Sequence, residues 1–312
     1  MANISSTFVQ RALTLRHMRL LVALEELRQV GRVAAALSIS QPAVSKALAE
    51  IENGVGVALF ERTSRGMVPT AHGACLLRYA HMMTNEIARA VDELTGLEQG
   101  IAATVAVGAT AGSGTGYLLN AAILQGCQRL PELTVSVSEG TREHLLRQLR
   151  TGRLDLVVGA AGDSVTPADL EAAPLYIDAP PIVCGTRHAL AANRRVEWAA
   201  MVIEPWVLPP RSTRVRAAVE ALFRRAGGMR PRVLAETLSL DLILELVANG
   251  AALAVLPQHL ARRLAMAGQI RILDAETPGL VMPVSVFSRV GAAASQAIDT
   301  FRTCLVEAAA LR

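Results

Sequence analysis

The sequence predicts a helical N-terminal part with a small wing, then one long helix, then a C-terminal α/β part with a mostly parallel sheet. Three observations lead there. The apolar spacing from Leu15 to about Leu97 is almost entirely helical. After Gln99 it changes to short β-rich runs alternating with helices, namely Thr104–Gly108, Thr134–Ser138, Leu154–Gly159, Pro181–Cys184 and Ala252–Leu256. The chain is 312 residues long and 52% hydrophobic, enough for two or three domains with real cores at roughly 100–200 residues each. The expected divisions are 12–70 for the first part, 71–98 for the long helix and 99–312 for the α/β part.

Charge is unevenly placed. Lys and Arg number 31 against 27 Asp and Glu, a net +4. Between Arg11 and Arg78 nine bases face five acids, so the whole excess lies in the helical part. That is the footprint of phosphate binding, although a solvated Arg-rich surface gives the same balance. Aromatics at 3% are too few to line a stacking surface for single-stranded nucleic acid. Cys75, Cys127, Cys184 and Cys304 lie far apart, which is neither a disulfide framework nor a zinc pattern and suits a reducing compartment. Residues 1–16 hold no apolar signal segment. The longest uncharged run, Gln99–Gln128, is broken by Gly112, Ser113, Gly114, Thr115, Gly116 and Asn120, whereas a spanning helix needs about 20 mostly apolar residues. The expectation is a cytoplasmic protein with no membrane partner.

Within the helical part, Val30–Leu37 predicts one helix and Gln41 to about Glu52 a second, with Ser38-Ile39-Ser40 as the turn. Ser40 is a good N-cap, and Pro42 falls in the first turn, where its missing N–H costs nothing. Val44, Leu48 and Ile51 define the buried stripe. The opposite face then presents Gln41, Pro42, Ser45, Lys46 and Ala49. Gln pairs with adenine N6 and N7, Pro and Ala meet a thymine methyl, and Ser and Lys reach bases or phosphates. Ser40 and Arg32 flank that face. An ordinary amphipathic helix pair shares the same periodicity.

Leu59-Phe60-Glu61-Arg62-Thr63-Ser64-Arg65-Gly66 reads as an apolar anchor entering a basic turn, a wing whose Arg62 and Arg65 touch backbone or minor groove. Downstream, Leu76, Ala80, Met83, Ile87, Ala90, Leu94 and Leu97 recur at alternating spacings of four and three. Such a seam pairs helices between chains, or packs a helix on its own domain. A DNA reader beside a dimer helix implies a homodimer on double-stranded DNA, reading two half-sites together.

The run Ala34–Lys46, followed by Leu59-Phe60-Glu61-Arg62 and Thr70-Ala71-His72-Gly73, resembles the winged helix-turn-helix region of LysR-type transcriptional regulators. Ser138-Glu139-Gly140, Leu149–Asp155 and Asn249–Pro257 are similar to landmarks of that family's effector domain, so the resemblance covers the whole chain. Two positions depart: Arg28-Gln29 stand where members commonly have Gly-Ser, and Val33 replaces a small Ala. Met67-Val68-Pro69-Thr70 with Leu76–Ala80 is similar to a subgroup of sugar- and aromatic-acid-responsive members.

The resemblance implies a periplasmic-binding-protein-like sensor of type 2, with subdomain I at about 101–172 plus 280–312 and subdomain II at about 173–279. Two crossover strands join them, and a small molecule, such as a carboxylate, a sugar or an aromatic acid, sits in the cleft. The residues read alone give matching loops, each a strand end followed by small hydroxyl residues at a helix start. Such sites receive anions and hydroxyls. The expected contacts are Thr110, Ala111, Gly112, Ser113, Thr141, Ser212, Thr213 and Thr237, with Arg211 for a carboxylate. A plain N-cap is the competing role for each hydroxyl.

Other chemistries find little support. The loop at 108–116 lacks both GK[ST] and GxGxxG spacing, and neither HExxH nor GxSxG is present. The six histidines never cluster; only His72 and Cys75 sit three apart. No enzyme activity, cofactor or metal is expected. A free solute-binding protein would need export, and a redox sensor would use Cys127 or Cys184, neither with a resolving cysteine nearby in sequence.

Overall fold

The computed structural model describes residue 8 and residues 11–99, 103–110, 115–161, 166–228, 230–292 and 295–311. Two compact units result, Met1–Ala102 with Arg150–Arg153, and Ala103–Leu149 with Leu154–Arg312.

In the first unit, helix α1 (Leu15–Leu27) starts at Thr14, whose hydroxyl accepts from the His17 N–H while the His17 ring accepts from the Thr14 N–H. Its stripe of Met18, Leu20, Leu21 and Leu24 is buried. The helix ends at Arg28, in the left-handed region with φ 55°. Glycine takes that conformation without a Cβ penalty, whereas here Arg28 adopts it. The Arg28 carbonyl accepts from the Met67 N–H at 2.8 Å and so ties this corner to the wing.

Helices α2 (Val30–Ala36) and α3 (Gln41–Val55) form the helix-turn-helix. Ser40 caps α3 by accepting from the Ala43 N–H, and Gly56 (φ 86°) ends it. Val44, Leu48, Ile51 and Val55 join Leu21, Leu24, Val33 and Leu59 in one core. Each buried Leu or Ile there is worth about 1.5–3 kcal/mol. The wing is an antiparallel hairpin of β1 (Phe60–Thr63) and β2 (Gly66–Pro69). Glu52 holds its base, with Oε1 accepting from the N–H groups of Leu59 (2.7 Å) and Phe60 (3.1 Å). Helix α4 (Ala71–Gln99) then leaves the wing.

The second unit holds two five-stranded sheets. One contains β3 (Ala103–Thr110), β4 (Leu133–Gly140), β5 (Leu156–Ala160), β6 (Leu170–Asp178) and β12 (Met282–Arg289), in the order β4-β3-β5-β12-β6. Its helices are α5 (Gly116–Arg129), α6 (Arg142–Arg150) and α11 (Gln296–Ala310). The other runs β11-β7-β10-β8-β9, from β7 (Ile182–Gly185), β8 (Pro205–Leu208), β9 (Arg232–Glu236), β10 (Leu253–Val255) and β11 (Ile270–Ile272). With it go α7 (Trp198–Met201), α8 (Arg214–Arg225), α9 (Leu240–Ala248) and α10 (Gln258–Met266).

The sheets are mixed, which corrects the mostly parallel expectation. Strand β3 is parallel to β4 and β5, and β8 to β9 and β10. However, β12 is antiparallel to β5 and β6, and β7 to β10 and β11. Parallel neighbours need a helical crossover of a dozen or more residues. Among the described residues no helix lies between β5 and β6 or between β11 and β12, and β6 leads the chain out to the second lobe while β12 brings it back. No helix among the described residues is long and apolar enough to cross a membrane.

Candidate nucleic-acid interface and ligand cavity

In the first unit, Arg32, Ser40, Gln41, Pro42, Ser45, Lys46, Arg62 and Arg65 are all exposed. Gln41, Pro42, Ser45 and Lys46 are consecutive or one turn apart on α3, with Ser40 as its N-cap, opposite the buried Val44, Leu48 and Ile51. Lys46 Nζ lies 3.9 Å from Glu50, both well exposed, a weak pair. Arg65 sits at the hairpin tip beside Gly66 (φ 100°), and Thr63 Oγ1 closes the turn by donating to the Gly66 carbonyl and accepting from the Arg65 N–H.

Along α4 the expected seam divides. Ala80 is fully buried in its own unit and Leu76 is half-buried against the same core, because the first turns of α4 pack on α1. His81, also buried, reinforces that contact through Glu25 at 2.7 Å. Met83, Ile87 and Leu94 are exposed, and so are Tyr79 and Val91, which sequence reasoning missed. Heptad spacing cannot tell packing within a chain from packing between chains.

In the second unit, a cavity of about 330 Å³ lies between the two sheets' lobes. Its walls come from strand ends and helix starts: Thr141 and Arg142 opening α6, Thr213 and Arg214 opening α8, Leu238 and Leu240 around the start of α9, and Pro257 before α10. Val255, Leu256, Ile243, Met282 and Val284 supply apolar surface. Thr110, Thr141, Ser212, Thr213 and Thr237 line it. Ala111, Gly112 and Ser113 lie outside the described residues. Several hydroxyls also serve the backbone: Thr141 accepts from His144 N–H (3.4 Å), Thr213 from Arg216 N–H (3.3 Å), and Thr237 from Ser239 N–H (3.0 Å). Thr110 stands directly over Gly159, where an added Cβ would come within 2.3 Å of its hydroxyl.

Arg211 is exposed and outside the lining; the arginines among the lining residues are Arg142 and Arg214. Sequence reasoning placed the charge on the first arginine after Pro209-Pro210. The signal it passed over is the repeated Thr-Arg pair, Thr141-Arg142 and Thr213-Arg214, each an N-cap followed by the first helical residue. Arg142 stacks 5.3 Å over the Phe287 ring, and Arg214 donates to the Ala161 carbonyl on the other lobe. Burial, and after it the charge of Arg214, pulls the Arg142 guanidinium below its ordinary range. Beneath these loops Arg216 is buried and donates to Glu220 (2.7 Å), Glu236 (3.2 Å) and the Pro209 carbonyl (3.2 Å). Asp178 accepts from the Gln258 N–H at the start of α10.

The cysteines do not gather at this cavity. Burial pushes the Cys184 thiol up to about 11 and also raises Cys304, while Cys127 donates to the Leu133 carbonyl. At pH 8 about one Cys184 in a thousand is then thiolate. An alkylating reagent is expected to modify exposed Cys75 first and spare Cys184 and Cys304 until the protein unfolds, as read by mass spectrometry. Fast native labelling of Cys184 would contradict this.

A helix-turn-helix with a wing, joined by a long helix to a two-lobed domain with a cavity, defines a DNA-binding regulator with its own sensor. Comparison with known proteins agrees. Residues 15–74 match the model of bacterial regulatory helix-turn-helix proteins of the lysR family, and residues 98–310 match the LysR substrate binding domain. The transcriptional regulator GbpR of Azospirillum brasilense is 31% identical over 281 residues, covering 90% of this chain and 82% of GbpR. GalR of Pseudomonas putida is 28% identical over 93% of this chain and 72% of GalR. Among solved structures, a full-length OxyR from Pseudomonas aeruginosa superposes with TM-score 0.64 at 25% identity, over 94% of this chain and 97% of that one. CbnR in complex with its target DNA superposes with TM-score 0.62 at 19% identity, over 95% and 100%, a likeness of fold. The chain belongs to the LysR family: it is a DNA-binding transcriptional regulator with an effector-binding domain, and not an enzyme.

Proposed function

We propose that Ser40, Gln41, Pro42 and Ser45 enter the major groove of promoter DNA, with Lys46, Arg32, Arg62 and Arg65 on the phosphates or the neighbouring minor groove. The observation that carries this is the exposed polar face of α3 opposite its buried stripe. A dimer, or a tetramer built from two, forms through Tyr79, Met83, Ile87, Val91 and Leu94 on α4, so that two readers act together in the cytoplasm. A small molecule bound among Thr110, Thr141, Ser212, Thr213 and Thr237 changes how the pair holds or bends DNA. The experiment is anisotropy titration of the full chain on specific and random duplexes. Gln41→Ala is expected to lose about 1–3 kcal/mol on the specific duplex and little on the random one. Arg62→Ala and Arg65→Ala are expected to weaken both alike and to lower the salt slope by about 1 each. Equal losses for Gln41→Ala on both duplexes would remove it from base reading.

A further inference from the structure

We propose that Arg28 grips the phosphate backbone of DNA at the corner where the helix-turn-helix meets the wing. The inference rests on the reading of α3 and the wing as the DNA-binding face, and adds a contact to it.

Arg28 holds a conformation that a long side chain rarely takes. Its φ of 55° and ψ of 2° lie in the left-handed region, where the Cβ of an L-residue crowds the following carbonyl oxygen. Among the described residues Ser38 is the only other non-glycine with a positive φ, and glycines fill the remaining such positions. The surroundings impose this strain from both sides. The Arg28 N–H donates to the Leu24 carbonyl at 3.0 Å and closes α1, while the Arg28 carbonyl accepts from the Met67 N–H at 2.8 Å on β2. Gly66 packs so closely that a Cβ there would come within 2.4 Å of the Arg28 carbonyl oxygen and 3.2 Å of the Arg28 Cβ. The Arg28 side chain therefore starts beside the hairpin turn, against the residue that follows Arg65. Glycine would meet every one of these backbone demands without strain. A strained residue that its surroundings hold in place points to a task for its side chain.

The charge at this corner says what the task is. Arg28 is exposed and makes no ion pair among the described residues. The acids nearest to it in sequence are engaged elsewhere, Glu25 with His81 at 2.7 Å and Glu26 with Arg153 at 2.8 Å. Arg32, one turn into α2, and Arg65 are exposed as well, again with no acid partner among the described residues. Three like charges around one corner repel one another in the free protein, and a polyanion relieves that repulsion. Because Arg28 sits between α2 and β2, it would meet the backbone between the contacts made by α3 and those made by the wing.

The test is anisotropy titration of the full chain over a salt series, on a random duplex and on one selected from a library, with Tm measured on the same samples. Arg28→Gly removes the charge and the strain together. It is expected to weaken both duplexes by at least about threefold and to lower the salt slope by about 1, while Tm holds or rises. Arg28→Asn, which tolerates the left-handed region without the added chain freedom of glycine, gives a second reading. Arg28→Lys is expected to keep the salt slope and most of the affinity. Unchanged affinity and slope in both Arg28→Gly and Arg28→Asn overturn the contact. So does a loss of affinity with an unchanged slope, or Arg28→Lys behaving like Arg28→Gly. Arg65→Ala, measured alongside, separates this contact from the reading beneath it. If Arg65→Ala lowers the slope and Arg28→Gly does not, the Arg28 contact alone falls; if neither does, the wing falls as a DNA-binding element with it.

Discussion

Arg216→Ala is expected to lower the Tm of the C-terminal unit by roughly 6–12 °C and to abolish ligand binding in the cavity. The side chain is buried and is the shared partner of Glu220, Glu236 and the Pro209 carbonyl. It therefore locks the first turn of α8 to β9 and to the Pro209–Thr213 loop. Removing one member of a buried charge cluster costs about 3–5 kcal/mol. Both glutamates are partly solvated, which places the effect near about 3 kcal/mol, or 2–4 °C per kcal/mol for a unit of this size. Arg216→Lys keeps the charge but not the fork, and should fall between. Calorimetry of the purified variants checks the order. A loss below about 2 °C would mean that the cluster does not hold the loop.

Gly73→Ala should damage the other unit, costing about 3 kcal/mol and at least tenfold in DNA affinity. A Cβ at this position would stand 1.9 Å from the Leu59 carbonyl oxygen and 2.9 Å from its carbon. Both are backbone atoms, so no rotamer relieves the clash. The start of α4 would have to lift off the strand, breaking the bonds from Thr70 N–H to Leu59 O (2.9 Å) and from Thr70 Oγ1 to Ala58 O (2.8 Å). The wing and α3 share that anchor through Glu52, which is why a helix glycine far from the polar face of α3 governs DNA binding. Gly116→Ala is the matched control, since nothing among the described residues lies within 4 Å of its added Cβ. Chemical denaturation followed by anisotropy on a specific duplex distinguishes the two variants. Equal behaviour would refute the close approach.

What could be read in the sequence differs by element. Helix α3 and its exposed face were legible because Val44, Leu48 and Ile51 state the period, while Ser40 and Pro42 mark the start. The wing was legible from an apolar anchor and a Gly-containing turn. The Glu52 clasp was not: its partners, Leu59 and Phe60, meet it only because the chain reverses after Gly56. The loops of the cavity were visible as strand ends followed by hydroxyl residues, yet which arginine lines it depends on where α8 begins. Arg214 is the first residue of that helix, and Arg211 lies on the loop before it, turned to solvent. Ala80 shows the same limit, since a periodic stripe on α4 does not say how much of it α1 already covers.

A footprint of the full-length protein on DNA selected from a random library tests paired reading by α3 most directly. Protection is expected over two related half-sites in partial dyad, their centres a whole number of helical turns apart, about 10–10.5 base pairs per turn. Gln41→Ala is expected to remove the base preference while leaving salt-dependent binding. Selection that returns no common sequence, or protection of a single half-site unchanged by Gln41→Ala, would contradict a paired reader built on α3.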